Sequence, residues 1–201
     1  MRKYVKEFFG HKDVLVMCAL LLLAFGYCAD SLGRWQSWAA IASGALTYTF
    51  SEYAIHRFLF HLKPPKNRLF LSFLRRLHYD HHVVPDDIKL MLLPVWYSLP
   101  LISGVCVLLY VLTGDTKTTA AFFTGTAGFL LYYEWTHYAA HRPIVPRTPW
   151  GRWMKKVHLW HHFQNEHYWF GVTNTLYDRL FGTFREPKQT ERSSSARNLE
   201  T

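Results

Sequence analysis

Ten of the twelve histidines in this 201-residue chain fall into four clusters. They are His56 with His61, His78 with His81 and His82, His137 with His141, and His158 with His161 and His162. The phrases RRLHYDHH and KKVHLWHH stand 80 residues apart, and in each copy the H-x-x-H-H triplet begins 17 residues after the preceding His pair. At about 100° per residue, positions i, i+3 and i+4 of a helix share one face. His78, His81 and His82 are therefore expected to point at a common centre, as are His158, His161 and His162, and His137 with His141. His56 and His61 are separated by about 140° around a regular helix. Either the helix unwinds ahead of Pro64 and Pro65, or these two rings serve different metals.

A lone histidine at such a position is usually a satisfied polar residue, but ten in four spaced clusters are not. Tetrahedral zinc takes four ligands, so ten imidazoles imply two ions held close together. Imidazole accepts Zn, Cu, Fe and Ni alike. A carboxylate-bridged di-iron bundle needs two E-x-x-H motifs and two further Glu; only Glu134-x-x-His137 occurs, and no H-E-x-x-H marks a zincin. A His-rich, oxygen-poor pair of ions suits redox work on a lipid, with iron the first choice. Metal-bound imidazoles give their second N–H to a carboxylate or carbonyl, which makes Glu52, Asp80, Glu134 and Asp178 candidate acceptors. His167, Asn165 and Asn174 are candidates for lining the site, and each reads equally as a surface or turn residue.

The elements that must position these clusters are helical. Four apolar stretches, 14–28, 38–60, 91–112 and 120–139, reach or approach the roughly 20 residues that cross a bilayer core. The first is short and would have to tilt little or recruit its flanks; no A-x-A cleavage site follows Gly26 to make it a signal peptide. Of 23 Lys and Arg, only Arg34 and Lys117 fall in the connectors 30–35 and 114–118. The other 21 lie at the N-terminus, in 57–89 or after His141, which places both termini in the cytoplasm. The net charge of +9 then reads as topology and headgroup contact, not as a nucleic-acid footprint. Cys18, Cys28 and Cys106 are odd in number and form no C-x-x-C, so no disulfide framework or thiolate site is expected.

The expected fold is all-α: an integral-membrane four-helix transmembrane bundle with a cytoplasmic helical cap carrying a His-rich di-metal site. Residues 1–13 form a basic cytoplasmic segment, 14–186 a single domain, and 187–201 a polar tail expected to be disordered. Trp96, Trp135, Trp150, Trp153, Trp160 and Trp169 are expected in an interfacial aromatic belt.

The ordered clusters, with EYAIHRFLFHLKPP at 52–65 and HHFQNEHYWFGVTNTLYDRLFGTF at 161–184, resemble the fatty acid hydroxylase superfamily of membrane di-iron enzymes. The likeness spans 51–184 and is greatest to fatty acid 2-hydroxylases. The phrases H-R-F-L-F-H and F-G-V-T…D-x-x-F-G-T favour that branch over sterol desaturases and carotenoid ring hydroxylases. The resemblance implies an O2-dependent monooxygenase that binds two Fe ions, or Zn in an iron-poor preparation, through His56, His61, His78, His81, His82, His137, His141, His158, His161 and His162. It would hydroxylate a long-chain fatty acid or lipid-linked acyl chain beside the carbonyl, the chain lying in an apolar tunnel among the spans. The implied course is reduction of both irons, O2 binding, C–H abstraction and rebound. Many eukaryotic relatives carry a cytochrome b5-like domain with an H-P-G-G haem motif; these 201 residues contain none, so a separate donor of cytochrome b5 or ferredoxin type is expected. The membrane would be the endoplasmic reticulum in a eukaryote or the inner membrane in a bacterium. Sterol or other lipid desaturation would use the same site. A His-rich metal transporter would instead place ionisable residues along the spans, whereas here the histidines stand at one end.

Overall fold

Apolar runs free of strand-like alternation, punctuated by Pro and Gly, give a helical chain with no strand among the described residues, 1–200, of this computed structural model. The helices are α1 (Arg2–Phe9), α2 (Lys12–Cys28), α3 (Trp35–Ile55), α4 (Arg68–Leu74), α5 (Asp80–Val83), α6 (Ile88–Met91), α7 (Val95–Thr113), α8 (Thr116–His141), α9 (Pro149–Phe163) and α10 (Leu176–Leu180). Two π-helical turns, His56–Phe60 after α3 and Arg75–Tyr79 between α4 and α5, interrupt the regular helix at histidine-bearing positions. The chain divides into two compact units, one of 1–49 with 93–132 and the other of 50–92 with 133–201.

The first unit holds the apolar helices. Two stretches, Lys12–Ser31 and Ile88–Thr113, are long and apolar enough to cross a membrane. They present Leu22, Leu23, Val111 and Leu112 outward, the arrangement a lipid solvent favours. Four spans were expected, and the other two fall in α3 and α8, whose 21 and 26 residues suffice in length but carry many Ser, Thr and Gly. Their hydroxyls are satisfied within the helix, Thr49 donating to the Ala45 carbonyl and Thr126 to that of Phe122. The only two cations of the short connectors are both paired, Lys117 with Asp30 at 2.9 Å and Arg34 with Asp115 at 3.9 Å. All three cysteines are free.

Small residues let α3 and α8 touch backbone to backbone. A Cβ added at Gly125 would lie 1.9 Å from the Ile41 carbonyl oxygen, and one at Gly44 2.2 Å from that of Phe122. Gly125→Ala is therefore expected to cost about 1–3 kcal/mol or more by overpacking. Gly104→Ala, on α7 with nothing within 4 Å of its Cβ, should be neutral or stabilising by up to about 1 kcal/mol. Thermal unfolding of the two variants in one detergent checks this; equal midpoints would refute the close contact.

The second unit holds the histidines. The tail, expected to be disordered, is instead tied down. Gln164 Nε2 donates to the Pro187 and Thr190 carbonyls at 2.6 and 2.8 Å, and Arg75 pairs with Glu200 through two contacts of 2.6 Å. Composition could not reveal this, because the amide that holds two tail carbonyls and the guanidinium that holds the Glu200 carboxylate are distant from the tail in sequence. Thr201 lies outside the described residues.

Candidate metal centre

The ten clustered histidines form two groups of five, and within each group the ligand atoms all lie within 4.8 Å of one another. His56, His61, His78, His82 and His161 make the first; His81, His137, His141, His158 and His162 make the second. The local reason begins with the π turn at His56–Phe60. Its i→i+5 hydrogen bonding closes one turn in about five residues, so His61 comes round beneath His56 and the two serve the same group. Of the alternatives left open by the sequence, departure from the regular helix is the one realised.

The expectation of a common centre for each H-x-x-H-H triplet is corrected. Relative to position i, position i+4 lies about 40° to one side and i+3 about 60° to the other. His78 and His82 therefore face the first group and His81 the second, while His158 and His162 face the second group and His161 the first. Each half of the sequence gives four imidazoles to its own group and one to the other, which is why the phrase is written twice. Caps fix the supporting helices: the Asn67 side chain accepts from Phe70 N at 3.0 Å to start α4, and Thr148 Oγ1 from Gly151 N at 3.0 Å to start α9.

In the first group Nε2 of His56 stands 3.2 Å from that of His78 and 3.3 Å from that of His61, and His61 Nε2 is 3.0 Å from that of His161. In the second, His81 to His137 and His141 to His158 are 2.8 Å. Donors about 2.0–2.1 Å from one ion lie about 2.9–3.4 Å apart along the edges of its coordination shell, close to these spacings. Nδ1 of His56 and His161 already donates to the carbonyls of Phe170 and Tyr168 at 2.5 and 2.7 Å. Their Nε2 atoms are then bare lone pairs turned toward other ring nitrogens, an arrangement that a shared cation satisfies. His162 points the same way, with both ring nitrogens buried and lacking a hydrogen-bond partner among the described residues. The residues therefore fit a pair of metal ions. Burial, then neighbouring imidazoles, holds His78, His81, His158, His161 and His162 well below the ordinary histidine range, and burial takes His82 down to about 3. Burial thus favours the neutral rings, the state in which imidazole ligates.

The carboxylates expected to accept from imidazole N–H groups act one step further out. Glu52 Oε1 accepts from the backbone N–H of Val172 and Thr173, both at 2.8 Å, and Oε2 from Thr173 Oγ1 at 2.7 Å. Asp178 accepts from Phe170 N, Gly171 N and Thr183 Oγ1, each at 2.8 Å. A Cβ at Gly171 would lie 2.8 Å from that carboxylate and 1.9 Å from the Asn174 carbonyl oxygen, so only glycine permits the approach. Behind Asp178 runs a donor chain in which Arg57 donates to Tyr53 Oη at 2.8 Å and Tyr53 stands 2.9 Å from Thr183. Glu52 and Asp178 thus pin the loop whose carbonyls hold His56 and His161. The loop pays in local strain, since Trp169 lies between those carbonyls at φ 59°.

The remaining candidates divide. Glu134 is buried one turn before His137. Asp80 is half-buried and makes no hydrogen bond to an imidazole among the described residues. His167 is exposed and faces Glu166 at 3.4 Å. Asn165 Oδ1 accepts from His167 N and Asn174 Oδ1 from Leu176 N, both at 3.0 Å, so both asparagines shape turns. Of the tryptophans, Trp96 and Trp150 are exposed, but Trp169 is fully buried against Met154 and Val157. The sequence reading missed the acceptors Tyr168 and Phe170, because main-chain carbonyls carry no residue signature. It also missed Lys155, whose ammonium donates to the Ala139, Arg142 and Ile144 carbonyls at 3.0, 2.6 and 2.9 Å and holds the end of α8 to α9.

Comparison with known proteins gives the same direction. Residues 41–183 match the family model described as fatty acid hydroxylase. A fatty acid 2-hydroxylase of Mus musculus is 38% identical over 142 residues, covering 70% of this chain and 38% of its own length. The dihydroceramide fatty acyl 2-hydroxylase FAH2 of Arabidopsis thaliana is 34% identical over 154 residues, 77% of this chain and 64% of that one. The ceramide very long chain fatty acid hydroxylase SCS7 of Saccharomyces cerevisiae is 33% identical over 146 residues, 72% and 37%. Among solved structures, one titled full length scs7p, with only the hydroxylase domain visible, superimposes with a TM-score of 0.77 at 28% identity over 90% of this chain and 69% of that chain. The chain thus spans well under two thirds of the mouse and Saccharomyces cerevisiae relatives.

Proposed function

Since the chain belongs to the fatty acid hydroxylase family, we propose that it is a membrane monooxygenase that hydroxylates a long-chain fatty acid or lipid-linked acyl chain at the carbon next to the carbonyl. The observation that carries this reading is the pair of all-histidine groups, five imidazoles each and no carboxylate. Two iron ions held there would supply the activation of O2 that an unactivated C–H bond requires. The chain's own part is to keep ten imidazoles neutral, to fix His56 and His161 by carbonyl acceptors, and to exclude water, since His81, His82, His158, His161 and His162 are all at most 1% exposed. Zinc would occupy the same nitrogens in an iron-poor preparation.

The membrane arrangement we propose is four spans, with α3 and α8 joining the two apolar stretches, in one hydroxylase domain over 14–186. Both termini and the histidines face the cytoplasm, supported by 21 of 23 Lys and Arg lying outside the two short connectors. The location would be the endoplasmic reticulum of a eukaryote or the inner membrane of a bacterium. An electron donor of cytochrome b5 or ferredoxin type would approach the basic face.

The test is expression in an iron-supplied host, lipid extraction and mass spectrometry of acyl chains, with a His81→Ala/His161→Ala double variant beside the parent. Species hydroxylated at C2 are expected only with the parent. New unsaturated chains instead would make it a desaturase, and no lipid change from protein holding two ions with reductant supplied would overturn the reading.

A further inference from the structure

Glu166 is a buried carboxylate, 1% exposed, on the turn after α9. A buried carboxylate needs donors, and two arrive from the polar tail: Ser193 Oγ at 2.9 Å and Ser195 Oγ at 2.5 Å, both on Oε1. Ser193 N also donates to the Gln164 carbonyl at 2.8 Å. With the serines held, the next residue, Ala196, is buried and its carbonyl accepts from His82 Nδ1 at 2.8 Å. That is the bond the Phe170 and Tyr168 carbonyls make to His56 and His161, the other two members of the first group whose Nδ1 is held by a main-chain carbonyl.

We propose that residues 193–196 are a positioning strap of the metal centre, in which Ser193 and Ser195 dock on Glu166 so that the Ala196 carbonyl fixes the tautomer and aim of His82. The inference rests on the two groups holding metal. It gives a function to a serine-rich stretch otherwise read as a solvated tail, and it makes the strap specific to the first group, because His82 belongs to that group alone.

The experiment compares the parent with a chain ending at Arg192, both loaded with two equivalents of iron or zinc and dialysed against graded chelator. Removing a hydrogen-bond partner of a ligand typically costs about 10–100-fold in metal affinity. The truncated chain should therefore release one ion at about 10–100-fold lower chelator than the parent and keep the other. Should the truncated chain fail to fold, Ala196→Trp in the full-length chain displaces the same carbonyl and should give the same single loss. Two ions retained with parental affinity in Ala196→Trp would overturn the strap, as would equal loss of both ions together with a lowered metal-free melting point. A parent that holds no ions would sink the metal reading and the strap with it.

Discussion

A His61→Ala/His161→Ala double variant is expected to lose one metal ion and a His158→Ala/His161→Ala variant both, with hydroxylation abolished in each. The first two residues come from distant parts of the chain but belong to one group; the second two are three apart on α9 but belong to different groups. Removing a ligand should cost more than the about 10–100-fold in affinity lost with a ligand's hydrogen-bond partner. Two removals at one ion cannot release more than that ion, so the doubles separate group membership from helical neighbourhood, in the way non-additivity separates shared from independent sites. Elemental analysis after chelator dialysis, beside acyl-chain mass spectrometry, reads both results. If each H-x-x-H-H triplet served its own ion, as helical geometry alone suggests, the two doubles would exchange outcomes.

That exchange marks the boundary of what sequence alone discloses here. The ten residues, their pairing into two copies and the need for two ions follow from spacing, because histidine is the one side chain whose repetition at i, i+3 and i+4 has little structural use. Assignment to ions does not follow. It depends on the π turn at His56–Phe60 and on the 100° spread of a triplet between two centres, and neither is visible in residue types. Glu52 and Asp178 were picked out as carboxylates near the clusters, but their partners are backbone N–H groups of residues 170–173. The F-G-V-T and D-x-x-F-G-T phrases are this loop: Asp178 and Thr183 bond to each other, and Gly171 lies where any Cβ would collide. Of the four stretches expected to span, those in α2 and α7 are apolar along their length, whereas α3 and α8 trade apolarity for the small residues that let Gly44 and Gly125 approach opposing carbonyls.

Asp178→Ala should therefore weaken the metal centre without touching a ligand. The carboxylate is fully buried, burial pushes its acid up, and the Thr183 hydroxyl and the Gly171 and Phe170 N–H groups oppose that shift. Alanine leaves those two N–H groups buried without their acceptor, at about 1–3 kcal/mol for each group left unmet, while the Thr183 hydroxyl keeps Tyr53 Oη at 2.9 Å. The effect then passes along the loop: Phe170 and Tyr168 shift, their carbonyls release His56 and His161, and the first group loses two of its fixed rings. A roughly 10–100-fold loss of affinity is expected at that ion first. Glu52→Gln should be far milder than Glu52→Ala, because an amide oxygen still accepts from Val172 N and Thr173 N and its NH2 can donate to Thr173 Oγ1. Metal titration of the four chains, with thermal unfolding of their metal-free forms, separates the routes. Preferential loss from the first group supports a loop that aims imidazoles; parallel loss from both groups, in step with falling stability, would reduce Asp178 and Glu52 to general supports of the fold.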